Sequence, residues 1–228
     1  MRGVRERAID LMRSAQFGEA IPLFLEVLKS DSNDFSVHYM LGQCYKFNGQ
    51  LTEAIESLER SEELVRISES EERFQTVYLA LGIAYQENQE FERAVDAFLA
   101  GINLCPEAWR LHNSLGLTYK YMNNLRAAVS AYYVAQEIIV SVASKQHTET
   151  IKLEDGTSAL HTDPEQIYLT LKSSPDYCTV LNNIGGVHLE SGDLESARKA
   201  FEESIEFIPD GFDYPPPHIG LDEVNNRS

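Results

Sequence analysis

The 228-residue chain carries 19 Lys and Arg against 36 Asp and Glu, a formal charge of -17, with 43% hydrophobic residues and a mean hydropathy of -0.29. This composition excludes a fibrous, wholly disordered or membrane-embedded chain. Acidity on this scale opposes contact with phosphate backbones and anionic lipid headgroups, so nucleic acid and membrane insertion are not expected.

Met1 to Gln16 intersperses Arg2, Arg5, Arg7 and Arg13 among short apolar stretches and lacks the apolar core of about 7 to 15 residues that an export signal needs. No stretch approaches ~18 uninterrupted apolar residues. Cys44, Cys105 and Cys178 are isolated, with no CxxC and no His at metal-ligand spacing. A reducing, cytoplasmic setting without metal or cofactor is the expectation.

Self-similarity organises the rest. Tyr78, Leu81, Gly82, Tyr85, Ala94 and Phe98 recur with identical internal spacing as His112, Leu115, Gly116, Tyr119, Ala128 and Tyr132. Upstream, His38, Leu41, Gly42, Tyr45, Ala54 and Leu58 form the same set, with a somewhat longer interval before the Gly82 copy. Downstream the set returns as Leu181, Ile184, Gly185, His188, Ala197 and Phe201. Near the start of the chain Ala8 stands as far before Ala20 as Gly82 stands before Ala94, with Phe24 behind it, but the Leu-Gly pair is missing.

The residue types have a steric reason. Glycine costs a helix interior about 1 kcal/mol relative to alanine, so four glycines inside helical patterns require a packing role. The constant step from each Gly to its Ala supplies it: Gly42 to Ala54, Gly82 to Ala94, Gly116 to Ala128 and Gly185 to Ala197. Each unit is predicted to be two antiparallel helices whose backbones approach where side chains are smallest. Asn48-Gly49, Asn88-Gln89, Asn123-Asn124 and Ser191-Gly192 provide turns between helices, and Pro106 and Pro209 end second helices.

On these residues the sequence resembles the tetratricopeptide repeat family, whose unit of about 34 residues carries a W-x2-L-G-x2-Y, A-x3-F and P pattern. The resemblance implies an all-α, right-handed superhelical solenoid of antiparallel helix pairs. One repeat domain over 1–211 is expected, with repeats near 1–34, 35–68, 75–108, 109–142 and 178–211. Val4, His38, Tyr78, His112 and Leu181 stand where the pattern has Trp.

Residues 143–177 depart from the pattern, as an insertion or a degenerate repeat. Asp163-Pro164-Glu165 reads as a cap and first turn, giving a short helix over 165–173. The stretch 148–161 centres on Asp155-Gly156 with Ile151, Leu153 and Leu160 around it, a hairpin or a loop. The insertion with one short helix is favoured, and the helix starting at Leu125 should overrun Val142 by about a turn. In the tail, 212–228, Pro215, Pro216 and Pro217 argue against an immediate helix. Phe212 and Tyr214 are expected to cover the last repeat with the prolines as spacer; a ligand for a proline-binding module is the alternative.

No phosphate loop, H-E-x-x-H, G-x-S-x-G or paired-cysteine site is present, so an enzyme is not expected. The acidic run Glu53, Glu56, Glu59, Glu62, Glu63, Glu69, Glu71 and Glu72 reads as a solvated outer face, with Arg60 and Arg66 as local partners.

The resemblance further implies that first helices line an inner wall. The positions assigned to partner binding are Tyr39, Met40, Gln43, Lys46, Phe47, Leu79, Ile83, Arg110, Asn113, Lys120, Tyr121, Asn182 and Asn183. Along the full set of inward positions Lys46, Arg110 and Lys120 face only Glu87 and Glu190, so the wall is spared the acidity of the chain. Apolar anchors beside amides suit a peptide or amphipathic helix of another protein. The expected function is a non-catalytic adaptor or scaffold. The alternative is self-assembly to a homo-oligomer, if Phe201, Ile205 and Ile208 of the terminal repeat stay uncovered.

Overall fold

The computed structural model describes residues 3–66, 71–152 and 158–227. Among them are twelve helices and one two-stranded hairpin. They pack as two compact units, Met1–Pro106 and Glu107–Ser228, where the repeat pattern alone implies one domain.

The first unit holds α1 (Val4–Arg13), α2 (Phe17–Ser30), α3 (Phe35–Phe47), α4 (Leu51–Val65), α5 (Glu71–Glu87) and α6 (Phe91–Leu104), each packed on the next. Ala8, Ala20, Phe24, Val37, Leu41 and Cys44 form one core cluster. The missing Leu-Gly pair of the first repeat is thus replaced by Ala8, which is buried against its partner helix. Starts are set locally: Asp34 caps α3, its Oδ1 accepting from the backbone N–H of Ser36 at 3.0 Å and Val37 at 3.2 Å. Between α1 and α2, Ala15 turns the chain at φ 56°; Gln89 and Asn123 do so in later hairpins, and Gly49 and Gly192 take the same role at φ 80° and 83°.

The second unit holds α7 (Trp109–Tyr121), α8 (Leu125–Gln146), β1 (Thr148–Lys152), β2 (Ser158–Thr162), α9 (Pro164–Lys172), α10 (Pro175–Ser191), α11 (Leu194–Glu206) and α12 (Pro216–Arg227). α8 overruns Val142 and ends at Gln146, as expected. It is also, among the described residues, the helix long and apolar enough to cross a membrane by length and composition. Here Ala128, Ala131, Tyr132, Ala135, Ile139 and Ala143 are buried. The inserted segment is an antiparallel hairpin, with Thr150 opposite Leu160 and Ile151 opposite Ala159, followed by α9. Asp163 caps α9 by accepting from Glu165 and Gln166 backbone N–H. Leu153 and the Asp155-Gly156 turn lie outside the described residues. α10 packs on α8, across the inserted segment, so the stacking continues around it.

The small residues act as the spacing implied. A Cβ on Gly42 would stand 2.6 Å from Leu58 Cγ, on Gly116 2.8 Å from Tyr132, and on Gly185 2.7 Å from Phe201; Gly82 is closer still to Phe98. Each glycine admits a ring or branched side chain worth about 1.5–3 kcal/mol of burial. A second repeated device was not read from the sequence. Ser61 Oγ donates to Phe35 O at 2.9 Å and Ser204 Oγ to Cys178 O at 2.7 Å. The step from Gly42 to Ser61 equals that from Gly185 to Ser204. Each buried hydroxyl ties a second helix to the start of the first.

The tail differs from the expectation. α12 starts on the proline run: Pro216 and Pro217 fill its first turn, where no N–H is needed and φ is already helical. Gly220 then meets the Phe201 ring, and Leu189, Ala197, Phe201, Val224, Leu194 and Leu221 make a terminal cluster. Ile219-Gly220 repeats Ile184-Gly185 at nearly one unit's spacing, so α12 imitates the first helix of another repeat. Phe201 is 2% exposed and Ile208 packs on the core. The uncovered terminal helix on which self-assembly was premised is therefore covered by the chain itself.

Candidate interaction surface

In the first unit, α3 and α5 carry the assigned residues from Tyr39 to Ile83. Tyr39, Met40, Gln43, Leu79 and Ile83 are half-buried. Met40 packs on the core, and Gln43 Nε2 donates to the Tyr39 hydroxyl at 3.2 Å. Lys46 pairs with Glu87 at 3.3 Å and lies 4.7 Å from the ring centroid of Phe47. Phe47, 60% exposed, stacks on Phe17 at 5.0 Å between centroids. An exposed ring is thereby held in one place by a cation and a second ring.

In the second unit, three polar links join α7 to α10. Arg110 approaches Asp176 at 3.4 Å and sits over Trp109; Asn183 Nδ2 donates to Asn113 Oδ1 at 3.0 Å; Lys120 pairs with Glu190 at 2.8 Å. Tyr121, following Lys120 as Phe47 follows Lys46, is 57% exposed. Between the last two links lies Gly186, where a Cβ would meet nothing nearer than Lys120 Nζ at 3.7 Å. Tyr214, from the segment before α12, packs against the second-unit core, and burial pushes its phenol up.

The assigned residues thus fall into two sets, one per unit. All three cations, assigned from the sequence to partner binding, are engaged by carboxylates of the same chain. The pairing is invisible in sequence because each partner lies on a different helix, far along the chain. Phe17, Trp109 and Tyr214 contribute without having been assigned; the first two contact the surface only through helix placement, and Tyr214 lies outside the repeats.

Behind the second-unit set, Tyr132 is fully buried and its hydroxyl has no hydrogen-bond partner among the described residues. Burial pushes its pKa far up, with further contributions from Tyr121 and Glu190. The outer acidic run proves structural as well as solvated. Glu62 accepts from Tyr78 and Glu59 from Tyr85, each at 2.6 Å, with Arg66 and Arg93 alongside; Glu69 and the side chains of Glu71 and Glu72 lie outside the description. Burial raises the thiol pKa of Cys44 to about 11 and also raises that of Cys178, leaving both as core thiols rather than nucleophiles. Among the described residues no three His, Cys, Asp or Glu side chains converge on a metal position.

Residues 23–56, 75–107 and 179–210 match family profiles described as tetratricopeptide repeat. Over 62 residues, 27% of this chain, the sequence is 32% identical to the peroxisomal targeting signal receptor of Candida albicans; the match spans 10% of that receptor's length. A crystal structure of MamA is similar over 88% of this chain and 93% of its own, at 24% identity and TM-score 0.64. MamA from Desulfovibrio magneticus RS-1 covers 90% of this chain and 92% of its own, at 16% identity and TM-score 0.65. A putative kinesin light chain with TPR-like repeats, from Podosopora anserina, covers 90% of this chain and 92% of its own, at 16% identity and TM-score 0.63. The hairpins, their glycine contacts and these matches agree: the chain has an all-α fold and carries tetratricopeptide repeats at 23–56, 75–107 and 179–210.

Proposed function

We propose that this protein is a non-catalytic adaptor whose first helices bind a peptide or amphipathic helix of another protein. The observation that carries the reading is the pair of exposed rings, Phe47 and Tyr121, each beside a Lys–Glu pair in its own unit. An exposed aromatic whose neighbours are already ordered loses little freedom on binding, which is how a ring becomes an anchor. Lys46, Arg110 and Lys120 present neutralised pairs rather than bare cations, so partner acids gain orientation from them and apolar contact supplies most of the affinity. The proposal keeps the cytoplasmic setting, which suits the buried thiols of Cys44 and Cys178.

The test is a double substitution, Phe47→Asp with Tyr121→Asp, in the full chain. Both rings are exposed, so helicity by circular dichroism should be unchanged, while partners cross-linked to the wild type in extracts of the source cells should fall at least tenfold, each lost anchor being worth ~1–2 kcal/mol. Undiminished recovery of the same partners overturns the reading.

A further inference from the structure

The inserted hairpin has an open side. Among the described residues, β1 and β2 pair with one another and neither strand packs along a helix of its unit. No backbone group of 158–162 bonds to any described residue outside β1, so the outer edge of β2 presents its remaining N–H and C=O groups to solvent. Two strands standing alone are marginal in water, whereas a third strand or a covering helix makes a sheet stable. The free edge is where stabilisation is to be gained.

The two edges differ in what they invite. β1 carries Glu149 and Lys152, and charges of this kind are how natural edge strands discourage further pairing. β2, Ser158-Ala159-Leu160-His161-Thr162, has no Asp, Glu, Lys, Arg or Pro, and it pairs residue for residue with β1, without a bulge. None of the usual protections is present. At its centre Leu160 is 74% exposed, more than any other large apolar side chain described.

We propose that β2 is a dimerisation edge, pairing antiparallel with β2 of a second copy to make a four-stranded sheet in the order β1-β2-β2-β1. A two-fold axis between the copies fixes the register, because only the alignment with Leu160 opposite Leu160 engages all five residues of both strands. Ser158 then stands opposite Thr162, Ala159 opposite His161, and the two exposed leucines cover each other. No like charges come opposite. This self-match selects a second copy over a foreign strand. So short an edge buries less than the ~1,200 Å² of a stable interface, so the dimer is weak and concentration-dependent. The inference goes beyond the adaptor reading: a dimer carries each anchor ring twice, which gives avidity toward a partner with two binding segments.

The test is sedimentation equilibrium of the full chain over a concentration series reaching about millimolar. The wild type should show a monomer–dimer equilibrium that tightens with salt, because salt screens the repulsion between two chains that each carry a charge of -17. Leu160→Glu and Leu160→Lys each set like charges opposite across the axis and should weaken the dimer about tenfold or more. Mixed in equal amounts, the two variants should pair with each other again. Leu160 is exposed, so both should keep wild-type helicity by circular dichroism. A wild type that stays monomeric across the series overturns the proposal. So does a dimer that survives in both charge variants, which puts the contact elsewhere, or a mixture that fails to pair again, which breaks the register. None of these outcomes touches the Phe47 and Tyr121 capture experiment, so the two readings fail separately.

Discussion

Gly185 lies so close to Phe201 that a Cβ on the glycine would stand 2.7 Å from the ring, whereas at the adjacent Gly186 the nearest atom would be 3.7 Å away. Two neighbouring glycines in one helix therefore have opposite physical roles. Gly185→Ala should destabilise by about 1–3 kcal/mol, because the buried ring cannot move aside. Gly186→Ala should stabilise by about 0.5–1 kcal/mol, the ordinary helix preference for alanine. Urea unfolding of the two variants checks both signs, and equal effects would contradict the packing described.

The hydroxyl of Tyr132 is buried without a partner among the described residues. Removing it relieves a desolvation cost at no loss of hydrogen bonding, so Tyr132→Phe should raise stability by about 1 kcal/mol. A loss of more than ~1 kcal/mol in denaturant unfolding would reveal that the hydroxyl is bonded after all.

Burial pushes the phenol of Tyr78 up to about 12; its hydrogen bond to Glu62 and that carboxylate's charge act the same way, while Arg66 opposes them. The folded state thus holds this proton more tightly than the unfolded chain, whose value is near 10. The stabilisation is complete below about pH 10 and is lost as pH rises toward 12. Thermal melts between pH 8 and the alkaline limit should show a decline that is shallower in Tyr78→Phe. Parallel curves would mean that Tyr78 titrates alike in both states.

α12 covers Phe201 through Val224, which is fully buried. Val224→Asp places an unpaired charge there and should cost about 2–4 kcal/mol. It should also promote self-association, visible by sedimentation velocity, because the terminal ring is bared. A destabilised variant that sediments like the wild type would show that the exposed ring does not associate.

Ala15, Gln89 and Asn123 hold left-handed backbone at inter-helix turns, with φ 56°, 62° and 57°. A Cβ there costs about 1–2 kcal/mol, partly offset by the freedom glycine adds to the unfolded chain. Ala15→Gly should accordingly stabilise by about 0.5–1 kcal/mol in chemical denaturation. Destabilisation would indicate that the Ala15 methyl packs.

The helix pairs were legible in the sequence because their cause is local. A glycine and an alanine at a fixed step within one hairpin, as in Gly82 and Ala94, encode the close approach in the residue types themselves, and turn residues such as Gly49 and Gly192 mark where the chain reverses. α12 was missed for a local reason too: the proline run hid the Ile219-Gly220 pair, although proline in a first turn is compatible with helix.

What the sequence could not decide is how the surface is occupied. Lys46, Arg110 and Lys120 were legible as cations, but their pairing with Glu87, Asp176 and Glu190 depends on helices from different repeats being set side by side. Likewise Tyr214 was legible as a covering residue, yet its place against the second-unit core exists only once α10 and the returning chain are packed. Repeat spacing determines which side chains face the same way. Contacts between those side chains arise from distances across the fold, which no short-range pattern carries.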